Sequence, residues 1–177
     1  MIILVTGDFG VGKDTFANML LTHLGIDMAQ LVRSKTTREP RYDDEITHSF
    51  ETVEDYEEDK EWGRVVAHTV IGGHHYWTTK DQFVDFLNGF SIYVVDDIGI
   101  RDVQAADIDD TFVIEVVRPS WLINIDEERK NRKRESGSYK FKSDYRVIND
   151  KTIPYLDTIA KDVSLMLLRR RLDQIEG

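Results

Sequence analysis

The chain has 177 residues, a formal net charge of -10, a mean hydropathy of -0.40 and no cysteine. That length suits one domain with a substantial core; the lack of cysteine excludes disulfides and thiolate metal sites, and the acidity argues against a general nucleic-acid binder, whose phosphate contacts want a basic surface. No apolar run approaches the roughly 20 residues needed to span a bilayer, and the chain opens on a strand-like segment without a basic leader, so a cytoplasmic protein with no membrane contact is expected.

The apolar run Ile2-Ile3-Leu4-Val5 predicts a buried first strand over residues 2–6. Directly after it come Gly7-Asp8-Phe9-Gly10-Val11-Gly12-Lys13-Asp14-Thr15, the pattern of a phosphate-binding loop. Glycines let the main chain curl so that several N–H groups face one point at the positive end of a helix. Lys13 then adds a mobile cation for the outer phosphates of ATP. Asp14 stands where Ser or Thr is usual; a carboxylate is a hard-oxygen ligand for Mg2+, directly or through water. Phe16, Met19, Leu20 and Leu24 recur at helical spacing and Gly25 follows as a stop, predicting a helix over 13–24.

Further strands are predicted at Leu31–Ser34, Ser91–Asp96, Thr111–Val117 and Tyr145–Ile148, and helices at Thr79–Asn88, Gly99–Ala106, Trp121–Glu135 and Pro154–Ile175. Strands alternating with helices imply an α/β fold with a mostly parallel central sheet. Leu156, Ile159, Val163, Met166 and Leu167 form a stripe on the last helix, which assigns it to core packing. Residues 36–77 differ: charged, with short alternating runs such as Arg64–Ile71 and a turn at Gly72-Gly73, they read as an antiparallel insertion anchored by Phe50, Val53 and Tyr56. Two basic islands, Arg33–Arg41 and Arg129–Arg134, stand out in this acidic chain as places to hold small polyanions.

Several of these segments, in this order, resemble the guanylate kinase family. Ser34-Lys35-Thr36-Thr37-Arg38-Glu39-Pro40-Arg41 is similar to the stretch that grips the acceptor monophosphate. Gly73-His74-His75-Tyr76-Trp77-Thr78-Thr79-Lys80 is similar to the one facing the acceptor nucleoside. Val94-Val95-Asp96 with Gly99, Pro119-Ser120 and Asp144-Tyr145-Arg146-Val147-Ile148-Asn149-Asp150 resemble the family's remaining segments. The Gly-Lys-Asp-Thr ending of the loop and the Val116–Pro119 turn also resemble bacteriophage deoxynucleoside monophosphate kinases.

The resemblance implies a P-loop NTPase-type three-layer fold, with core 1–34 and 80–177, an acceptor-binding insertion 35–79 and a short lid at about 126–143. It implies transfer of a phosphoryl group from ATP, with Mg2+, to a (deoxy)nucleoside monophosphate, (d)GMP foremost. The partners it implies are small-molecule nucleotides, the protein acting as a monomer or homodimer.

By the same resemblance, Gly7, Phe9, Gly10, Val11, Gly12, Lys13, Asp14 and Thr15 hold ATP, and Asp14 and Asp96 are metal-side carboxylates. Ser34, Arg38, Arg41, His48, Tyr76, Thr78 and Asp96 face the acceptor, His48 standing where the family has a second tyrosine. Lys13, Arg38 and, from the lid, Arg129 and Arg132 neutralise the migrating group, with Arg118 a further candidate. Each arginine fork can bind two phosphate oxygens. The glutamate with which the family reads guanine falls on Ala67 or His68 here, so wider base use is an open alternative, as are a kinase of another small phosphorylated acceptor and a non-catalytic guanylate-kinase-like binding module.

Overall fold

The computed structural model describes residues 1–83, 89–106, 108, 110–123, 139–150 and 152–176. The central sheet is built on β1 (Ile2–Thr6), all of whose residues are buried. It runs in the order β2 (Ala29–Val32), β7 (Phe90–Val94), β1, β8 (Thr111–Val117), β9 (Tyr145–Ile148), and every neighbouring pair is parallel. A strand covered on both faces needs apolar residues at both parities. Accordingly Ile3 and Val5 of β1 pack with Phe16, Leu20 and Leu24 of α1 (Lys13–Leu24) and with Leu156, Ala160, Val163 and Leu167 of the last helix, α4 (Ile153–Glu176). Ile2 and Leu4 point the other way, into a cluster with Val32, Tyr93, Val95, Val113 and the α3 (Asp97–Ala105) residues Ile100 and Val103.

A second sheet, in the order β4 (Ser49–Phe50), β3 (Lys35–Thr36), β6 (His74–Thr79), β5 (Val65–Ile71), packs through β5 on α3 and adds Ala67 to that latter cluster. β6 is antiparallel to β3 and β5, whereas the short β3–β4 pair is parallel. Between β4 and β5 lies α2 (Val53–Glu61), started by a reciprocal cap in which the Thr52 hydroxyl accepts from Asp55 N–H and the Asp55 carboxylate accepts from Thr52 N–H. α2 was not foreseen from the sequence, because its one large buried apolar residue is Tyr56. Val53, expected to anchor the insertion, is 50% exposed. At the first helical position it faces solvent while Tyr56, one turn on, faces the sheet.

The strand predicted at Leu31–Ser34 begins earlier, at Ala29, and the Arg33-Ser34 step leads into β3. The helix predicted at Thr79–Asn88 opens as a short 3-10 turn, Lys80–Gln82, and residues 84–88 lie outside the described residues. The helix predicted from Trp121 likewise opens as a 3-10 turn, Ser120–Leu122, and 124–138 lie outside them. No helix among the described residues is long and apolar enough to cross a membrane.

The back of the second sheet is tied to α2 by a buried carboxylate. Asp59 accepts from Lys35 Nζ at 2.7 Å and Trp77 Nε1 at 2.9 Å, and pairs with Arg64 Nε at 2.8 Å. Burial alone would raise the Asp59 carboxyl, but the bonds from Lys35 and Trp77 and the Arg64 charge outweigh it and hold the group below the usual carboxylate range. Asp59→Ala should therefore strand a buried indole N–H and an ammonium, costing about 2–3 kcal/mol. Urea unfolding at neutral pH measures it, and a loss under about 0.5 kcal/mol would mean that the network contributes nothing.

Candidate functional site

The turn from β1 into α1 is a left-handed curl. Gly7, Gly10 and Gly12 have φ of 141°, 75° and 96°, values that L side chains rarely adopt. A Cβ on Gly7 would collide with the Val116 carbonyl of the neighbouring strand, and one on Gly12 would sit 2.7 Å from Asn149 Nδ2. That amide fixes the loop from outside, since buried Asn149 donates to the Val11 carbonyl at 2.7 Å. Lys13 folds back over the curl, its ammonium donating to the Gly7 and Asp8 carbonyls at 2.9 and 2.8 Å. Asp14 and Thr15 are exposed on the first turn of α1. Beside the loop opens a cleft lined by Thr6, Gly7, Asp8, Asp97, Arg118 and Phe141. Arg118 is half-buried there, and its buried Nε has no hydrogen-bond partner among the described residues.

Across the crevice the second sheet supplies another cationic cluster. The Arg38 fork meets Glu45 in two bonds of 2.7 and 3.2 Å, donates to the Glu39 carbonyl at 2.6 Å and lies 5.3 Å from the Phe50 ring centre. Glu45 also accepts from the Arg41 N–H at 2.7 Å and the Thr47 hydroxyl at 2.8 Å. Bonds from Arg38, working against burial, bring the Glu45 carboxyl down to about 2. Burial opposes the Arg38 charge, yet Glu45 and the adjacent Tyr76 hydroxyl outweigh it and raise the pKa of the guanidinium. Glu45 thus holds the Arg38–Arg41 segment in shape while using up part of its charge.

Of the residues expected to face the acceptor, Ser34, His48 and Tyr76 meet beside Arg38. Ser34 Oγ and His48 Nδ1 share a 2.8 Å hydrogen bond, and the His48 ring meets Tyr76 edge-on at 5.5 Å between centres. Strand register then separates the two candidates for the family's guanine-reading position. After a bulge in β5, Ala67 pairs with Thr78 and Thr69 with Tyr76, whereas His68 pairs with Trp77. Directly opposed side chains share a face and alternate residues change it, so Ala67 lies on the face of Thr78 and Tyr76. His68 lies on the back, stacked on Tyr56 at 4.7 Å with its Nε2 3.0 Å from His75 Nδ1. Thr78 is fully buried, beside the Tyr93 hydroxyl that burial keeps protonated.

The strand expected to reach Asp96 ends at Val94, and Asp96 instead caps α3, its Oδ1 accepting from Gly99 N–H at 2.8 Å. Among the described residues no three His, Cys, Asp or Glu side chains gather as a metal site. Asp14 and the Thr15 hydroxyl at the loop's end offer the hard oxygens that a largely hydrated Mg2+ takes. Arg129 and Arg132 lie outside the described residues, as does most of the expected lid. Glu45 and the clamp by Asn149 were not assigned roles from sequence, and Phe50 was expected only as an anchor of the insertion; the signals were an acidic run, Asp43-Asp44-Glu45, just after Arg38 and Arg41, and an Asn just past the end of a strand.

Among solved structures, the chain is similar to the crystal structure of guanylate kinase from Anaplasma phagocytophilum, with a TM-score of 0.66 and 17% identity over 97% of this chain and 86% of that one. An unliganded sugar kinase from Janibacter sp. HTCC2649 aligns at a TM-score of 0.42 and 13% identity over 90% and 91% of the two chains, too loosely to carry an argument. No protein-family model and no curated protein matches the sequence. The chain has a P-loop kinase fold: a parallel sheet with the phosphate loop after its central strand, and a second, mostly antiparallel sheet over one face.

Two expectations follow. Asn149→Ala frees the buried Val11 carbonyl and should cost about 1–3 kcal/mol, with a parallel loss of nucleoside triphosphate affinity; unaltered affinity by calorimetry would show that the loop holds its curl unaided. For Glu45 the folded pKa is depressed, so its contribution is present above the ordinary value of 4.5 and is lost as pH falls toward about 2. Glu45→Gln should thus be less stable than wild type at pH 7, and the gap should close between those two pH values. A gap constant with pH would contradict the assignment.

Proposed function

We propose that the protein is a nucleoside monophosphate kinase that moves the γ-phosphoryl of ATP, in line, onto the phosphate of a (deoxy)nucleoside monophosphate. The observation that carries this is a Lys13-capped glycine loop together with a second cationic cluster, Arg38 and Arg41 beside Ser34, His48 and Tyr76. His48 lies within electrostatic reach of both Asp14 at the loop's end and Arg38. Such chemistry needs little covalent work from a protein, only positioning and neutralisation of charge on the migrating group.

Loop N–H groups from Gly7 to Lys13 would hold the β-phosphate, and the Lys13 ammonium would leave the Gly7 and Asp8 carbonyls for phosphate oxygens. Asp14 and Thr15 would hold Mg2+ through its waters; the ion supplies bridging and charge neutralisation of the phosphates. Arg38 and Arg41 would fork onto the acceptor phosphate, with Tyr76 donating to it. Asp96 would meet the acceptor through whatever its cap to α3 leaves available. Arg129 and Arg132 would close from the lid, and Arg118 would serve the donor cleft that it lines.

Base choice is the finer part of the proposal. Thr78 can donate to O6 of guanine, which keeps (d)GMP first among acceptors. Ala67, on the same face, offers no carboxylate to accept from the guanine N1 and N2 edge. A site without that buried acceptor discriminates less, because an unpaired polar group is what rejects the wrong ligand. Broad use of deoxynucleoside monophosphates is therefore the favoured second reading. The retained Lys13 and complete glycine curl speak against a purely binding module.

ATP and Mg2+ should give a diphosphate with at least one of dGMP, GMP, dTMP, dAMP and dCMP. Lys13→Ala and Arg38→Ala should each lower kcat/KM by about 100-fold or more, the latter with a marked rise in acceptor KM. No turnover with any of the five, or an Arg38→Ala enzyme with unchanged acceptor kinetics, would contradict the proposal.

A further inference from the structure

We infer that His48 makes acceptor binding proton-linked: the imidazole is neutral in the empty site and takes up a proton when a phosphate dianion arrives beside Arg38 and Tyr76. The inference rests on the acceptor site proposed above and concerns a residue at which this chain departs from the tyrosine of the family it resembles.

The geometry supplies both states. The hydrogen bond between Ser34 Oγ and His48 Nδ1 is 2.8 Å, and a hydroxyl can play either role in it. With a neutral ring whose Nδ1 accepts, the Ser34 hydroxyl donates and Nε2 carries the ring proton. With a charged ring, Nδ1–H donates to the Ser34 oxygen, and the serine proton is released to turn toward another acceptor. No heavy atom has to move for the bond to reverse. Ser34 is buried and the His48 ring is flanked by Tyr76 at 5.5 Å and Phe50 at 6.4 Å, so its surroundings are apolar except for the charges named next.

Those charges come from every side of the ring. Burial disfavours the imidazolium, and Arg38, across the loop after β3, disfavours it further. Glu45 in the same loop, Asp14 on α1 and the Ser34 carbonyl favour it. In the empty site burial and Arg38 prevail and the imidazole pKa lies below its ordinary value. A phosphate dianion bound to Arg38 reverses the balance, because it cancels the guanidinium charge and adds net negative charge beside a half-buried ring, which favours the cation. The same step gives the phosphate a further donor. A tyrosine at this position would donate a hydrogen bond with no proton exchange, so affinity would not follow pH in this range.

The test is isothermal titration of the full chain with dGMP, GMP, dTMP, dAMP and dCMP, at pH 7.5, in buffers of differing ionisation enthalpy. The phosphate's second pKa is about 6, so the ligand is already a dianion there and contributes little proton exchange of its own. Wild type should show buffer-dependent heat corresponding to fractional proton uptake, and its Kd should weaken by roughly two- to tenfold per pH unit from 7 to 8.5. His48→Tyr should bind with buffer-independent heat and a flat pH profile, and His48→Gln likewise, more weakly. His68→Gln, altered on the opposite face of the sheet, should keep the uptake. Binding heat independent of buffer in wild type, or uptake that survives His48→Tyr, overturns the proton link while leaving the acceptor site intact. No heat with any of the five monophosphates overturns the site and the link together.

Discussion

The crevice depends on one curl of main chain between a fully buried strand and the helix that follows it. Gly7 is forced by the Val116 carbonyl behind it and Gly12 by Asn149 above it, so the loop's shape is dictated by the sheet and not by the loop alone. The Asn149 amide on the Val11 carbonyl couples a residue late in the chain to the first glycine-rich turn. Lys13 closes the curl by resting on the Gly7 and Asp8 carbonyls, a bonded position from which an incoming phosphate can draw it. A preorganised nest of this sort is ordered before ligand arrives, so binding costs less conformational entropy.

The second sheet answers that loop with a cluster of different character. Its positive charge is held in a ring of bonds centred on Glu45, which takes the Arg38 fork, the Arg41 N–H and the Thr47 hydroxyl. The carboxylate sets the guanidinium plane, and Phe50 supports it from the side. The cluster's back is secured by Asp59 and Trp77 to α2, so the strands carrying Thr36, Tyr76 and Thr78 are braced on the side away from the crevice. A five-stranded parallel sheet thus fixes the glycine loop, and a braced four-stranded sheet presents the Arg38 cluster; in the proposed function these are the donor and acceptor sides.

Legibility in the sequence followed burial and local chemistry. β1, α1 and β8 begin and end where apolar runs and glycines say they should, because largely buried strands leave nearly unbroken apolar runs and Gly25 terminates α1 with a bond from its N–H to the Leu21 carbonyl; β9, an edge strand with only Val147 buried, also has the predicted bounds. α2 was hidden: its composition is acidic and its buried positions are Tyr56 and Asp59, a charge that only tertiary partners make tolerable. The glycine curl that opens α1 was readable from local pattern, whereas Arg38, Arg41, Tyr76 and Thr78 were named only through the family resemblance. Whether Ala67 or His68 met the base pocket was not, since a bulge between Val65 and Ala67 resets the pairing and one residue of slip exchanges the faces. Glu45 was equally hidden, because the last acid of the run Asp43-Asp44-Glu45 looks like a solvated charge until its bidentate partner is known.

A complex with a dinucleoside polyphosphate that joins an adenosine and a guanosine through five phosphates tests the central claim most directly, since it must occupy both anion sites at once. The account predicts adenosine-side phosphates on the N–H groups of Gly7 to Lys13, with Lys13 moved off the Gly7 and Asp8 carbonyls, and the guanosine-side phosphate on Arg38, Arg41 and Tyr76. A crystal structure with the chain of phosphates lying elsewhere, Lys13 still bonded to those carbonyls and the Arg38 cluster untouched would contradict it.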